Sequence, residues 1–124
     1  MRLVQILFLV LVLSLMVFGQ TNRGGITGTV TDSNGAIVPG AKVTITNVGT
    51  NQSTTVTTSS SGAYIANTLD PSLYSVMVEA PNFKKVLIQN VKVNTASVST
   101  VNVVIEMGNV DESVTIQADA QLVS

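Results

Sequence analysis

The 124-residue chain contains no cysteine and no histidine. Without thiol or imidazole groups it cannot build a disulfide, a Ser-His-Asp triad, a thiol nucleophile or a typical zinc site. Carboxylate, hydroxyl, amine and phenol chemistry remain, and stability has to come from a packed core and its hydrogen-bond ladders. Charge is scarce as well. Charged residues make up 10% of the chain, with six Lys or Arg against seven Asp or Glu and a net charge of -1. No charge field of either sign points to nucleic acid, an anionic membrane surface or an acidic substrate. No enzyme, cofactor or nucleic-acid partner is expected from this inventory.

What the chain does have is β-branched Val, Ile and Thr, with Ser, Thr and Asn filling the polar positions. That composition suits pleated sheets. The length allows one ordinary domain, since a single core organises about 100 to 200 residues.

The first segment, "MRLVQILFLVLVLSLMVFGQ", starts positive at Arg2 and runs apolar from Leu3 to Phe18, interrupted by Gln5 and Ser14. Such a stretch reads as a secretory signal peptide spanning residues 1–19, with Val17 and Gly19 placed for cleavage after Gly19. Its 16 residues fall short of the roughly 20 needed to span a bilayer. Residues 20–24 then form a short leader.

From Gly24 onward, period-two patterning is broken by turn residues, the pattern of short antiparallel strands in a sandwich of six or seven strands. Ile26, Gly28 and Val30 share a face, as do Ala41, Val43 and Ile45. "QSTTVTT", Gln52 to Thr58, is nearly all polar and predicts an edge strand. Tyr74, Val76, Val78 and Ala80 alternate with Ser75, Met77 and Glu79, and Val101, Val103, Ile105 and Met107 alternate with polar partners. Turns are expected at Asp32 and Gly35, at Pro39 and Gly40, at Gly62, at Pro71 and at Asn82.

The order of these corners resembles the carboxypeptidase regulatory-like domain, a transthyretin-like β-sandwich. The resemblance rests on Gly28, Val30, Asp32 and Gly35, then Pro39, Gly40, Ala41 and Val43, then Gly62, Tyr64, Leu69, Pro71, Tyr74, Val76, Val78 and Phe83. Two turn positions depart from the family pattern, where Ser72 and Asn82 stand in place of glycine. The expected domain runs over residues 25–107. The whole arrangement, from signal peptide and leader through this domain to "GNVDESVTIQADAQLVS", resembles the N-terminal extension of Oar-like TonB-dependent outer-membrane receptors. That resemblance implies export by the Sec route to the periplasm or outer membrane of a Gram-negative bacterium. It also implies a downstream plug and barrel, with the TonB energy transducer as partner. The similarity of the fold to starch-binding-like folds implies carbohydrate as another partner.

Six features could carry chemistry. Asp32, Ser33 and Asn34 offer oxygen ligands, but Ala36, Ile37 and Val38 follow where a calcium loop needs further oxygens, so a corner is the expected reading. Asp32 and Asp70 are carboxylates that nothing in the sequence brings together. Lys84 and Lys85 read as a solvated pair, and Asn51-Gln52-Ser53 matches a glycosylation sequon that matters only in a eukaryotic host. Tyr64, Tyr74 and Phe83 fall at core or corner positions rather than on a platform. In residues 108–124, Glu112, Val114, Thr115, Ile116 and Ala118 loosely resemble a TonB box, by which a receptor pairs as an added strand with its transducer. A last sandwich strand and a linker are the alternatives for that segment.

Overall fold

The computed structural model describes residues 1–14 and 23–118. The predicted cleavage site after Gly19 and most of the leader lie outside the described residues, as do positions 119–124. Arg2–Ser14 forms helix α1. Thirteen residues give about 20 Å of helix, and no helix among the described residues is long and apolar enough to cross a membrane.

Nine strands follow: β1 Gly24–Asp32, β2 Lys42–Asn47, β3 Ser53–Thr57, β4 Ala63–Leu69, β5 Ser72–Glu79, β6 Lys85–Val93, β7 Val98–Thr100, β8 Val103–Ile105 and β9 Ser113–Gln117. They build two sheets. The first has the order β4-β1-β7, with β8 also pairing β1, and the second has the order β3-β2-β5-β6-β9. Alternation sets the faces: Val43 and Ile45 of β2 are buried, while Lys42 is exposed. Inward residues of both sheets, among them Ile26, Val30, Ile45, Val76, Ile88 and Ile105, close one core at 1% exposure or less. Each such side chain contributes about 1.5–3 kcal/mol by leaving water. The "QSTTVTT" stretch supplies β3, at an edge as its polarity predicts.

The β-sandwich agrees with the sequence pattern, but strand number and direction differ from it. The stretch "SVSTVNVVIEM", residues 97–107, expected as one strand, is divided into β7 and β8, and the trailing segment adds β9. Three pairings, β1 with β7, β1 with β8 and β6 with β9, are parallel. The reason is connectivity. Hairpins give antiparallel neighbours, whereas a chain that crosses between sheets can arrive running the same way as its new partner. After β6 the chain crosses to β1 and then returns to β6. Met107, expected on the inward face, is 74% exposed, because Ile105 ends the buried alternation.

β7 and β8 are one strand with a gap. Gly25 pairs Val98 and Asp32 pairs Ile105, so the register is the same on both sides of the break. At the gap, Val101 N–H donates to Thr27 O at 2.8 Å. Asn102 Oδ1 accepts from Thr29 N–H at 3.1 Å and from Thr29 Oγ1 at 3.2 Å, replacing the missing backbone acceptor. The Val101 carbonyl turns toward β1 and is received by Tyr64 Oη, which donates to it at 2.5 Å. This approach requires Gly28, where a Cβ would stand 1.8 Å from the Val101 oxygen and 2.9 Å from Tyr64 Oη. Gly28→Ala is therefore expected to destabilise the fold by about 3 kcal/mol, read as a lower urea midpoint with an unchanged slope. A wild-type midpoint for this variant would contradict the close approach.

Candidate functional site

The "DSNG" corner is built around one carboxylate oxygen. Asp32 Oδ1 accepts from Asn34 N–H at 2.9 Å and from Ala36 N–H at 3.0 Å. The backbone closes the same turn, with Asp32 N–H on Ala36 O at 2.8 Å and Gly35 N–H on Asp32 O at 3.0 Å. Gly35 sits at φ 82°, a region L-residues with a branched Cβ avoid. Among the described residues no group of three His, Cys, Asp or Glu side chains is placed to hold a metal ion.

The "VPGA" corner is set down on a residue that sequence reasoning did not single out. Thr58 is buried. Its hydroxyl donates to Val38 O at 2.7 Å and accepts from Ala41 N–H at 2.8 Å, and its carbonyl accepts from Gly40 N–H at 3.0 Å. Thr58 thus holds both sides of the Pro39-Gly40 turn. Asn47, also buried, has a matching role at the other end of β2. Its Oδ1 accepts from Gly49 N–H at 2.9 Å, Thr50 N–H at 3.2 Å and Ser72 Oγ at 3.3 Å, and its Nδ2 donates to Tyr74 Oη at 3.4 Å. Tyr74 Oη in turn donates to Asp70 O at 2.7 Å beside Pro71. The signal for Asn47 was a polar side chain at an inward position of the β2 alternation, which burial forces to find partners.

The two carboxylates weighed as an acid and base pair are far apart. Asp32 ends β1, while Asp70 follows Leu69, which pairs Gly24 at the start of β1. Nine residues of strand separate them by roughly 26 Å. Asp70 instead meets Arg23 Nε at 3.3 Å. Burial pushes the Tyr64 phenol well above the ordinary tyrosine range, which keeps its proton for Val101. Tyr64 and Tyr74 are buried and Phe83 is half-buried against the core. The carbonyl oxygen of Gly62, a residue with φ 76°, accepts from Val30 N–H at 2.8 Å, and that of Asn82, with φ 68°, accepts from Gly108 N–H at 3.1 Å.

Lys84 is a correction to the solvated-pair reading. It is half-buried, its stem lies against Gly108, and its Nζ stands 3.5 Å from Glu112 and 3.9 Å from Glu106. With both carboxylates more than half exposed, these pairs contribute little energy, but they fix where the trailing segment leaves the sandwich. Lys85 N–H donates to Glu112 O at 2.9 Å, and β9 then runs beside β6 from the Lys85–Ser113 pair to the Gln89–Gln117 pair. Val114 and Thr115 are exposed, Ile116 packs against the core from a half-buried position, and Ala118 is buried. The five residues singled out in this segment therefore lie on or beside one edge strand of the second sheet.

The Asp32 geometry separates a corner from a ligand. Asp32→Asn keeps an Oδ1 acceptor and is expected to leave the thermal midpoint nearly unchanged, while Asp32→Ala costs about 1 kcal/mol. Gly35→Val is expected to cost about 1–3 kcal/mol through its backbone conformation. Equal destabilisation by Asn and Ala at position 32 would show that the charge, not the acceptor, matters there.

Residues 25–106 match the carboxypeptidase regulatory-like domain family. No curated protein sequence matches the chain. Among solved structures, a candidate carbohydrate-binding protein from Bacteroides uniformis ATCC 8492 is 20% identical with a TM-score of 0.56, over 67% of this chain and 41% of its own. The Bacillus anthracis TIE protein is 22% identical with a TM-score of 0.57, over 69% of this chain and 17% of its own. Catechol 1,2-dioxygenase from Acinetobacter radioresistens is 17% identical with a TM-score of 0.56, over 73% of this chain and 54% of its own. The chain spans less than two thirds of each of these proteins, and at such identities the likeness is one of fold. The family match covers most of the chain, which belongs to the carboxypeptidase regulatory-like domain family.

Proposed function

We propose that the chain is a non-enzymatic, exported β-sandwich module that works by binding or assembly, as the N-terminal extension of a TonB-dependent outer-membrane receptor. The single observation that carries this reading is the placement of β9. Ser113–Gln117 forms the outer edge of a five-stranded sheet. It contains no charge and no proline, the devices by which edge strands usually refuse company. A strand of that kind accepts another by main-chain hydrogen bonding. An apolar N-terminal segment ahead of the sandwich supports export, by way of a signal peptide removed after Gly19. In this reading the plug and barrel follow, and the partner is the transducer on the periplasmic side. The absence of His and Cys supports a module without catalysis.

The second reading is a carbohydrate-binding or adhesion module, favoured by the fold likeness to the candidate carbohydrate-binding protein. One pair of measurements separates the two. Titration of the labelled chain with the periplasmic domain of the transducer is expected to shift amide signals of Glu112, Val114, Thr115, Ile116 and Ala118, and Thr115→Pro, which deletes a backbone donor, is expected to remove the effect. Silence along that segment, together with binding on a glycan array, would replace the receptor reading with the carbohydrate one.

A further inference from the structure

A hollow at the end of the second sheet is independent of the β9 edge. Its lining is Gly40, Lys42, Glu79, Ala80, Pro81 and Val110, and its volume is about 350 Å³. That is near the lower limit of the roughly 300–1,000 Å³ common to ligand pockets, which calls for a small occupant. The sequence builds it from three directions. Gly40 and Lys42 come from the corner entering β2, Glu79 to Pro81 from the end of β5, and Val110 from the segment that Lys84 ties down between Glu106 and Glu112.

The walls are apolar and the rim carries two charges. Ala80 is 7% exposed and Val110 is 43% exposed, so one is part of the sandwich and the other presents an aliphatic side chain to the opening. Nothing lies within 4 Å of where a Gly40 Cβ would project. Lys42 and Glu79 are direct cross-strand partners on β2 and β5, a placement that sets their Cβ atoms about 5 Å apart. They nevertheless form no ion pair with each other or with any other described residue, the pairs there being Arg23–Asp70, Lys84–Glu106 and Lys84–Glu112. One cation and one anion therefore stand side by side over an apolar floor, each with its partner position open.

We propose that this hollow binds a small zwitterion with an apolar side chain, an α-amino acid or a short peptide. Its ammonium would face Glu79, its carboxylate would face Lys42, and its side chain would lie on Ala80, Pro81 and Val110. A singly charged ligand satisfies one rim group and leaves the other opposed, and a zwitterion without a side chain leaves the floor in water. Rim-exposed charges are weak, and the affinity follows from that, with a dissociation constant on the order of 1 mM.

The test is a titration of the isotope-labelled chain, followed by amide NMR, with L-leucine and with the dipeptide leucyl-leucine. Saturable shifts are expected at Gly40, Lys42, Glu79, Ala80 and Val110, and the tighter of the two ligands identifies the free amino acid or the peptide as the source. N-acetyl-leucine, leucinamide and glycine, which lack the ammonium, the carboxylate and the side chain respectively, are each expected to bind about tenfold more weakly. Lys42→Met, at an exposed position, is expected to weaken leucine by a similar factor with the rest of the spectrum unchanged. Val110→Asp should do the same from the apolar lining. No saturable shift with either leucine ligand, or equal binding of the masked ligands, would overturn the proposal.

Discussion

The hydrogen bond from Tyr64 to the Val101 carbonyl, made across the bare backbone of Gly28, is the contact on which the arrangement of the first sheet depends. β4 brings the tyrosine, β1 supplies the gap, and the broken strand β7–β8 supplies the oxygen. Because Tyr64 pairs Gly28 in the β1–β4 register, its side chain extends over β1 toward the third strand. A buried phenol with no acceptor would cost far more than this bond gains, and so would an unpaired carbonyl at the strand break. The same contact therefore satisfies two groups and fixes the crossing strand in register. Burial also holds the phenol protonated well into the alkaline range, so the donor is present under all ordinary conditions.

A second constraint is local. With no disulfide available, the corners are tied by single side chains that each close several backbone bonds: Asp32 for one turn, Thr58 for the next, Asn47 with Tyr74 for the turns beyond β2. Asp32, Thr58 and Asn47 are short and polar, and each is placed where a strand ends. The corners shape the surface as well. The Pro39-Gly40 turn that Thr58 holds forms one wall of the apolar hollow, and the Lys84 ion pairs place Val110 on the other.

Much of the sandwich is legible in the sequence because burial alternates with period two. Val76 and Val78 are buried and Met77 is half-buried, as the pattern of β5 requires. The polarity of Gln52 to Thr58 marks β3 as an edge, yet the same polarity hides Thr58, whose burial depends on a turn 17 residues earlier in the chain. Strand direction is invisible to alternation, since a parallel and an antiparallel neighbour ask for the same faces. That is why the β1–β7, β1–β8 and β6–β9 pairings appear only in three dimensions. Lys84 was misread for a related reason: its partners Glu106 and Glu112 lie more than 20 positions away, beyond any local pattern. The hollow could not be read from the sequence at all, because its lining comes from three separate segments.

The family fold, a core closed by crossing strands and an edge strand left unguarded form one consistent picture. Its centre is the Tyr64–Gly28–Val101 crossing, and native-state amide hydrogen exchange tests that most directly. The amides of Val30, Val101 and Val103, which lie at or beside the crossing, should exchange only through global unfolding, with a common free energy and a common denaturant dependence. If Val101 and Val103 exchanged by an early local opening while Val30 and the β1–β4 pairing stayed protected, the crossing would be a passive edge and the account would be wrong.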